Sequence, residues 1–204
     1  YMGRFDVAEV PGLPPFAGGA VGLFGYDLVR TVEPLGPPNP DPLGVPDLAL
    51  MITDVLVIFD HLHNELTILA CAYVGDDGDV DAAYDDAVEK IGAVRERLRG
   101  PVPDSGETSA VESPQFESNL TKEEFEAMVA RIIEYIYAGD AFQVVPSQRF
   151  TAESRVEPFS IYRGLRAVNP SPYMYFLEFV DFQIAGASPE PLLKVNGDIV
   201  EIRP

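Results

Sequence analysis

An α+β protein with mainly antiparallel sheets is what this sequence predicts, and three observations carry the prediction. Strand-like apolar runs follow one another across turn signals, at residues 48–59 and 65–74 and again at 192–195 and 199–202. Helical patterns interrupt them at uneven intervals, at 82–99, 121–138 and 158–168. No regular strand–helix–strand rhythm and no internal repeat occurs, which disfavours a parallel sheet.

Composition narrows the partners. The 204 residues suffice for one large domain or one and a half, and 47% are apolar, enough for a core. A formal net charge of −19 argues against a nucleic-acid backbone or an anionic membrane as partner. An anionic small substrate would need local cations or a metal. Cys71 is the single cysteine, so no internal disulfide forms, which suits a reducing, cytoplasmic compartment. Its apolar neighbours mark it as a small buried hydrophobe. No apolar run is long enough for a membrane span, and no secretory signal is seen. The chain opens Tyr1-Met2-Gly3 and stops at Arg203-Pro204 directly after a strand, so it reads as an internal or shortened piece of a longer protein.

The elements follow in order. Residues 1–15 are irregular. The glycines of 16–27 invite a phosphate-loop reading, but neither G-x-x-x-x-G-K-[ST] nor a helix-opening G-x-G-x-x-G is present. They read instead as a glycine-rich strand against which another backbone packs closely, with a short helix starting at Tyr26. Residues 31–46 hold six prolines and form a surface excursion. One long strand is expected at 48–59, returning at 65–74. His61 and His63 sit at that turn; their spacing could hold a metal, but no Cys or third His supports it, so they read as loop. The helix at 82–99 has an apolar stripe containing Ala83, Ala87, Ile91 and Val94, and Gly100-Pro101 ends it. Residues 102–118 shift to Pro, Ser, Glu and Thr, a solvated linker. The expected division is therefore 1–100, a linker at 101–119, and 120–204.

Thr121 and Glu124 form a capping box, Leu120 and Phe125 a hydrophobic staple, and Gly139 a stop. Residues 141–150 alternate as a strand, with Gln143, Val145, Ser147 and Arg149 on one face; Pro146 implies an edge or a bulge. Pro158 opens a short helix at its first position. Asn169-Pro170-Ser171-Pro172 cannot be helix interior. Residues 173–182 are nearly all apolar and aromatic, which predicts one strand buried on both faces. Just past it, after small residues, comes Glu190. The pattern leaves open whether that acid is a solvated loop residue or a functional one. Asn196-Gly197 marks a hairpin.

Three stretches together resemble component I of anthranilate synthase, in the chorismate-utilising enzyme family. They are GGAVGLFGYDLVR (18–30), LTKEEFEAMVARIIEYIYAGDAFQVVPSQRF (120–150) and NPSPYMYFLEFVDFQIAGASPEPLL (169–193). The resemblance implies large antiparallel sheets packed across an active site with helices outside. It implies conversion of chorismate and ammonia to anthranilate and pyruvate, with magnesium, the ammonia coming from a glutamine amidotransferase subunit. This would be the first step of tryptophan biosynthesis, feedback-inhibited by L-tryptophan.

Residue by residue, the Glu of G-A-S-P-E falls on Glu190, implied to be the general acid that protonates the leaving C4 hydroxyl. A carboxyl closed from water keeps its proton near neutral pH, which suits that task. The Gln of F-Q-V-V-P-S-Q-R falls on Gln143. Relatives that add water carry a lysine base there; ammonia is already a nucleophile, so a neutral amide suits an ammonia user. Asn169, Pro170, Ser171, Pro172, Tyr173 and Met174 match the segment that binds tryptophan, with an aromatic ring and a thioether offering an apolar slot for an indole. Without the resemblance these six residues read as core packing.

The departures are large. The L-L-E-S segment that completes the tryptophan pocket does not occur, and the P-I-A-G-T loop would begin at Pro204. The magnesium-binding glutamates and the remaining substrate contacts are expected in a further C-terminal half, so the 204 residues by themselves are expected to be inactive and to bind no magnesium tightly. Two alternatives remain: aminodeoxychorismate synthase component I of folate synthesis, and a non-catalytic tryptophan-binding or interaction module.

Overall fold

The computed structural model describes residues 2–8, 10–76, 78–103 and 113–202. Part of the expected linker, 104–112, and Pro204, where the P-I-A-G-T loop was expected to start, lie outside the described residues. The chain forms two compact units, Tyr1–Ser105 and Gly106–Pro204. The α+β class holds, and every ladder among the described residues is antiparallel. The sheets within this chain are two-stranded.

In the first unit, β1 (Gly19–Phe24) pairs with β2 (Leu48–Thr53), with Gly22 opposite Leu50. A Cβ on Gly22 would collide with the main-chain carbonyl of Ala49, so the glycine-rich run is a strand that admits its neighbour's backbone. A 3₁₀ turn, Tyr26–Thr31, follows β1. The single strand expected over 48–59 is corrected: it breaks at Asp54, and β3 (Val55–Asp60) pairs with β4 (Glu65–Ala70) instead. An apolar run says that a strand exists; it does not say where the strand changes partner.

At the β3–β4 turn, Asp60 Oδ1 accepts from the main-chain N–H groups of Leu62 (2.8 Å) and His63 (3.0 Å), and Asn64 takes a left-handed φ of 54°. The His63 ring, 2.8 Å from Asp60 Oδ2, and the His63 N–H hold the Asp60 carboxyl below the usual range. The histidines thus serve a turn.

α1 (Val80–Arg99) starts at Asp79, whose carboxylate accepts from Ala82 N at 2.9 Å. It packs on β4 and contributes Ala83 and Ala87, 8% and 6% exposed, the buried apolar residues among those described. Val88 and Leu98 remain about half exposed. Lys90 Nζ lies 2.9 Å from Asp86 on its own helix and 2.9 Å from Asp54 at the strand break. That hydrogen bond holds the Asp54 carboxyl below its usual range and raises the Lys90 ammonium. Cys71 is half-buried, its Sγ 3.5 Å from the Ala17 carbonyl.

In the second unit, β5 (Glu117–Ser118) pairs with β6 (Phe150–Thr151). α2 (Lys122–Ala138) carries the complete capping box, with Thr121 N donating to Glu124 Oε2 at 2.8 Å and Glu124 N to Thr121 Oγ1 at 3.2 Å. Gly139 ends it at φ 83°. α3 (Pro158–Val168) opens with proline, and the Glu157 carboxylate accepts from Ser160 N at 3.0 Å. β7 (Tyr173–Glu178) and β8 (Gln183–Ser188) form a hairpin under α3, followed by the hairpin of β9 (Lys194–Asn196) and β10 (Ile199–Glu201). In the latter, Asn196 pairs with Ile199, so the central turn residues are Gly197 and Asp198, one place later than Asn196-Gly197. Gly197 alone has positive φ, 56°, as a type II′ turn requires at its first central position.

No helix among the described residues is long and apolar enough to cross a membrane.

Candidate functional site

The expected strand over 173–182 is corrected to a strand, Tyr173–Glu178, and the turn that leads to β8 at Gln183. Phe179 N donates to Phe182 O at 2.9 Å, and the two phenyl rings stack at 4.7 Å across this turn. Val180 at its tip is 99% exposed, so the run is not buried on both faces. Beyond the turn, Tyr173 pairs with Ser188, Met174 with Ala187, Tyr175 with Gly186 and Phe176 with Ala185. Directly opposed residues share a face. Phe176 meets Phe159 (5.3 Å) and Tyr162 (5.8 Å) of α3, which fixes the helix side of the hairpin. On the other face the Tyr175 ring lies over Gly186, where a Cβ would strike it.

This register gathers most of the candidate residues at one end of the hairpin. Asn169 caps α3, its N–H reaching Leu165 O at 2.8 Å, and Ser171 Oγ reaches back to Asn169 O at 3.5 Å. Pro170 and Pro172 stop the helix and carry the chain into β7. Tyr173 then stands opposite Ser188, two residues before Glu190. Ser188 Oγ donates to Glu190 O at 2.8 Å and accepts from Glu190 N at 3.4 Å, a local turn that sets Glu190 just past the ladder. Tyr173 and Met174 are adjacent on a strand, so their side chains lie on opposite faces. A ligand at this end therefore meets one by its side chain and the other by its main chain. Asn169, Pro170, Pro172, Tyr173 and Glu190 are exposed; Ser171 and Met174 are half-buried.

Gln143 has a different carrier. The strand expected over 141–150 is corrected: only Phe150–Thr151 pairs, and residues 143–149 run without a turn, a bend or a ladder of their own. This strap leaves α2 at Gly139, where Asp140 N donates to Tyr135 O at 3.0 Å. It is held at its far end by Asn119, whose Oδ1 accepts from Arg149 N at 2.7 Å and whose N–H donates to Arg149 O at 3.0 Å. Gln148 Nε2 adds a bond to Ser118 Oγ at 2.6 Å. The Arg149 Nε is buried with no partner. Ser118, Asn119 and Gln148 are the residues that sequence reasoning missed. Their signal was a pair of small polar residues just before a capping box, which reads equally well as linker.

Gln143 and Glu190 are both exposed. The setting closed from water that the resemblance implies for the Glu190 carboxyl is not formed by the described residues. Nor do three His, Cys, Asp or Glu side chains converge anywhere among the described residues as a metal site.

The comparisons agree with the motifs. The pattern of the family described as chorismate binding enzyme matches residues 3–204. Anthranilate synthase component 1 of Pseudomonas putida is 44% identical over 212 residues, covering 100% of this chain and 42% of that protein. The protein of the same name from Acetivibrio thermocellus is 40% identical, covering 100% of this chain and 42% of its own length. Among solved structures, anthranilate synthase component I from Streptococcus pneumoniae TIGR4 superimposes with a TM-score of 0.81 at 35% identity, over 96% of this chain and 43% of that one. The chain thus spans about two-fifths of the length of these relatives. On the family match, the shared motifs and the common fold, this chain belongs to the chorismate-binding enzyme family.

Proposed function

We propose that this chain is part of an aminase subunit that converts chorismate and ammonia to anthranilate and pyruvate. The observation that carries the reading is 44% identity to anthranilate synthase component 1 across the whole chain. Glu190 is the general acid. It delivers a proton to the C4 hydroxyl of chorismate, which leaves as water while ammonia adds to the ring. Loss of the enolpyruvyl side chain as pyruvate then restores aromaticity. Gln143 presents a neutral amide, which neither consumes a proton nor activates water, so the ring is left to the ammonia nucleophile. The ammonia comes from a glutamine amidotransferase partner.

L-Tryptophan binds at the entrance to β7. The bend made by Pro170 and Pro172 gives a rigid approach, and the exposed Tyr173 ring supplies an aromatic face. Magnesium, implied by the resemblance, finds no donor cluster among the described residues.

The test uses the full-length protein with ammonium chloride in place of the partner. Anthranilate, seen by its fluorescence, is the expected product. Accumulation of aminodeoxychorismate instead would assign the subunit to folate synthesis. Heat on titration with tryptophan but none with chorismate would favour a non-catalytic sensor.

A further inference from the structure

We propose that Asn119 is a positioning residue for Gln143. The proposal rests on the reading of Gln143 given above. α2 has 17 residues, so it is about 25 Å long. The strap returns from its C-terminal end toward the segment that precedes its N-cap. The nine steps from Asp140 to Arg149 reach at most about 32 Å when fully extended, so the slack is limited, and past a bend at Phe142 the path from 143 to 149 is free of turns.

A taut segment without a ladder takes its register from its ends. One end is covalently continuous with α2 through Gly139 and Asp140. The other is the β5–β6 ladder, which holds Phe150 opposite Ser118 and is carried one residue further by a two-bond clamp on the Arg149 main chain, donated and accepted by Asn119, with the Gln148–Ser118 bond beside it. Ser118 Oγ also accepts from Leu120 N at 3.0 Å and donates to Leu120 O at 2.6 Å. The clamp is thereby fixed to the residue that enters the capping box. If Asn119 lets go, the strap gains slack and the Gln143 amide shifts along its own path. Misplacement by about 1 Å is enough to cost a reaction that depends on approach geometry up to about 100-fold.

The experiment is a double-mutant cycle in the full-length protein, read as ammonium-driven kcat/KM with chorismate. Asn119→Ala is expected to lower kcat/KM about 10-fold while the melting temperature stays close to the parent's. Asn119→Asp keeps an acceptor oxygen for Arg149 N–H and should recover most of the loss. Adding Asn119→Ala to Gln143→Ala should then cost little more than Gln143→Ala alone, because an unpositioned alanine has nothing left to lose. Full additivity of the two losses would overturn the positioning role while leaving Gln143 in place. A Gln143→Ala enzyme with parental activity would overturn both readings together. Should Asn119→Ala fail to fold, Gln148→Ala, which spares the main-chain pair, runs the same cycle with a smaller expected loss.

Discussion

Glu190 leaves a ladder of paired residues that runs from Tyr173–Ser188 to Glu178–Gln183 and lies under a helix. Gln143 rides a strap with no ladder at all, held at two ends that are separated by the length of α2. The first position is set locally, by a hairpin and a serine two residues away. The second is set at a distance, by residues thirty positions apart in the chain. A local device tolerates change elsewhere and fails abruptly at its own residues. A distant one is exposed to anything that moves either anchor.

Substitutions can break this contrast, the most severe first. Glu190→Gln in the full-length protein should lower turnover by about 100-fold or more while leaving chorismate binding close to normal; steady-state kinetics and calorimetric titration measure the two separately. Retained turnover would remove the acid from the mechanism. Ser188→Ala removes both hydrogen bonds of the turn that presents Glu190. It should cost about 10-fold in kcat with little change in melting temperature, and it should not alter the Asn119–Gln143 coupling.

Thr121→Ala acts on the other carrier. It removes the acceptor for Glu124 N–H at the start of α2 and should lower stability by about 1 kcal/mol by chemical denaturation. The smallest effect concerns acid. The Thr121 main-chain N–H, then its hydroxyl, hold the Glu124 carboxyl below the ordinary glutamate value. A lowered folded-state value means the contribution is present above the unfolded-state value and fades as pH falls through the folded one. The melting temperatures of parent and Glu124→Gln should therefore differ most near neutral pH and converge as pH falls below the folded-state value. A difference independent of pH would show that the carboxylate's charge plays no part in the cap.

The same division explains what could be read in the sequence. Both second-unit helices were legible to the residue at their ends, because Thr121, Glu124, Gly139 and Pro158 act on neighbours within a turn. The glycine-rich strand was legible because Gly22 answers to one close backbone. Strand limits were not. Asp54 is the one charged residue in the apolar run 48–59, but a lone acid does not say that pairing changes there from β1 to β4. The β7–β8 turn is made by Phe179 and Phe182, stacked on each other, with none of the usual Gly or Asn. Reading through that turn also hid the site, since only the hairpin brings Tyr173 beside Ser188 and hence near Glu190. For 141–149 neither the missing ladder nor the clamp at Asn119 was legible, because a side chain thirty residues away leaves no periodic trace.

The ammonium shared by Asp86 and Asp54 has a consequence for how the first unit assembles. Asp86 precedes Lys90 by one turn of the same helix, so the long side chain is already aimed before the strands arrive. Its flexibility is curbed within the helix, and Asp54 meets a cation that needs little further ordering. The junction between β2 and β3 thereby doubles as a keyway. α1 lies on β4, and the exposed ion pair adds a small preference for the rotation that brings Lys90 to Asp54.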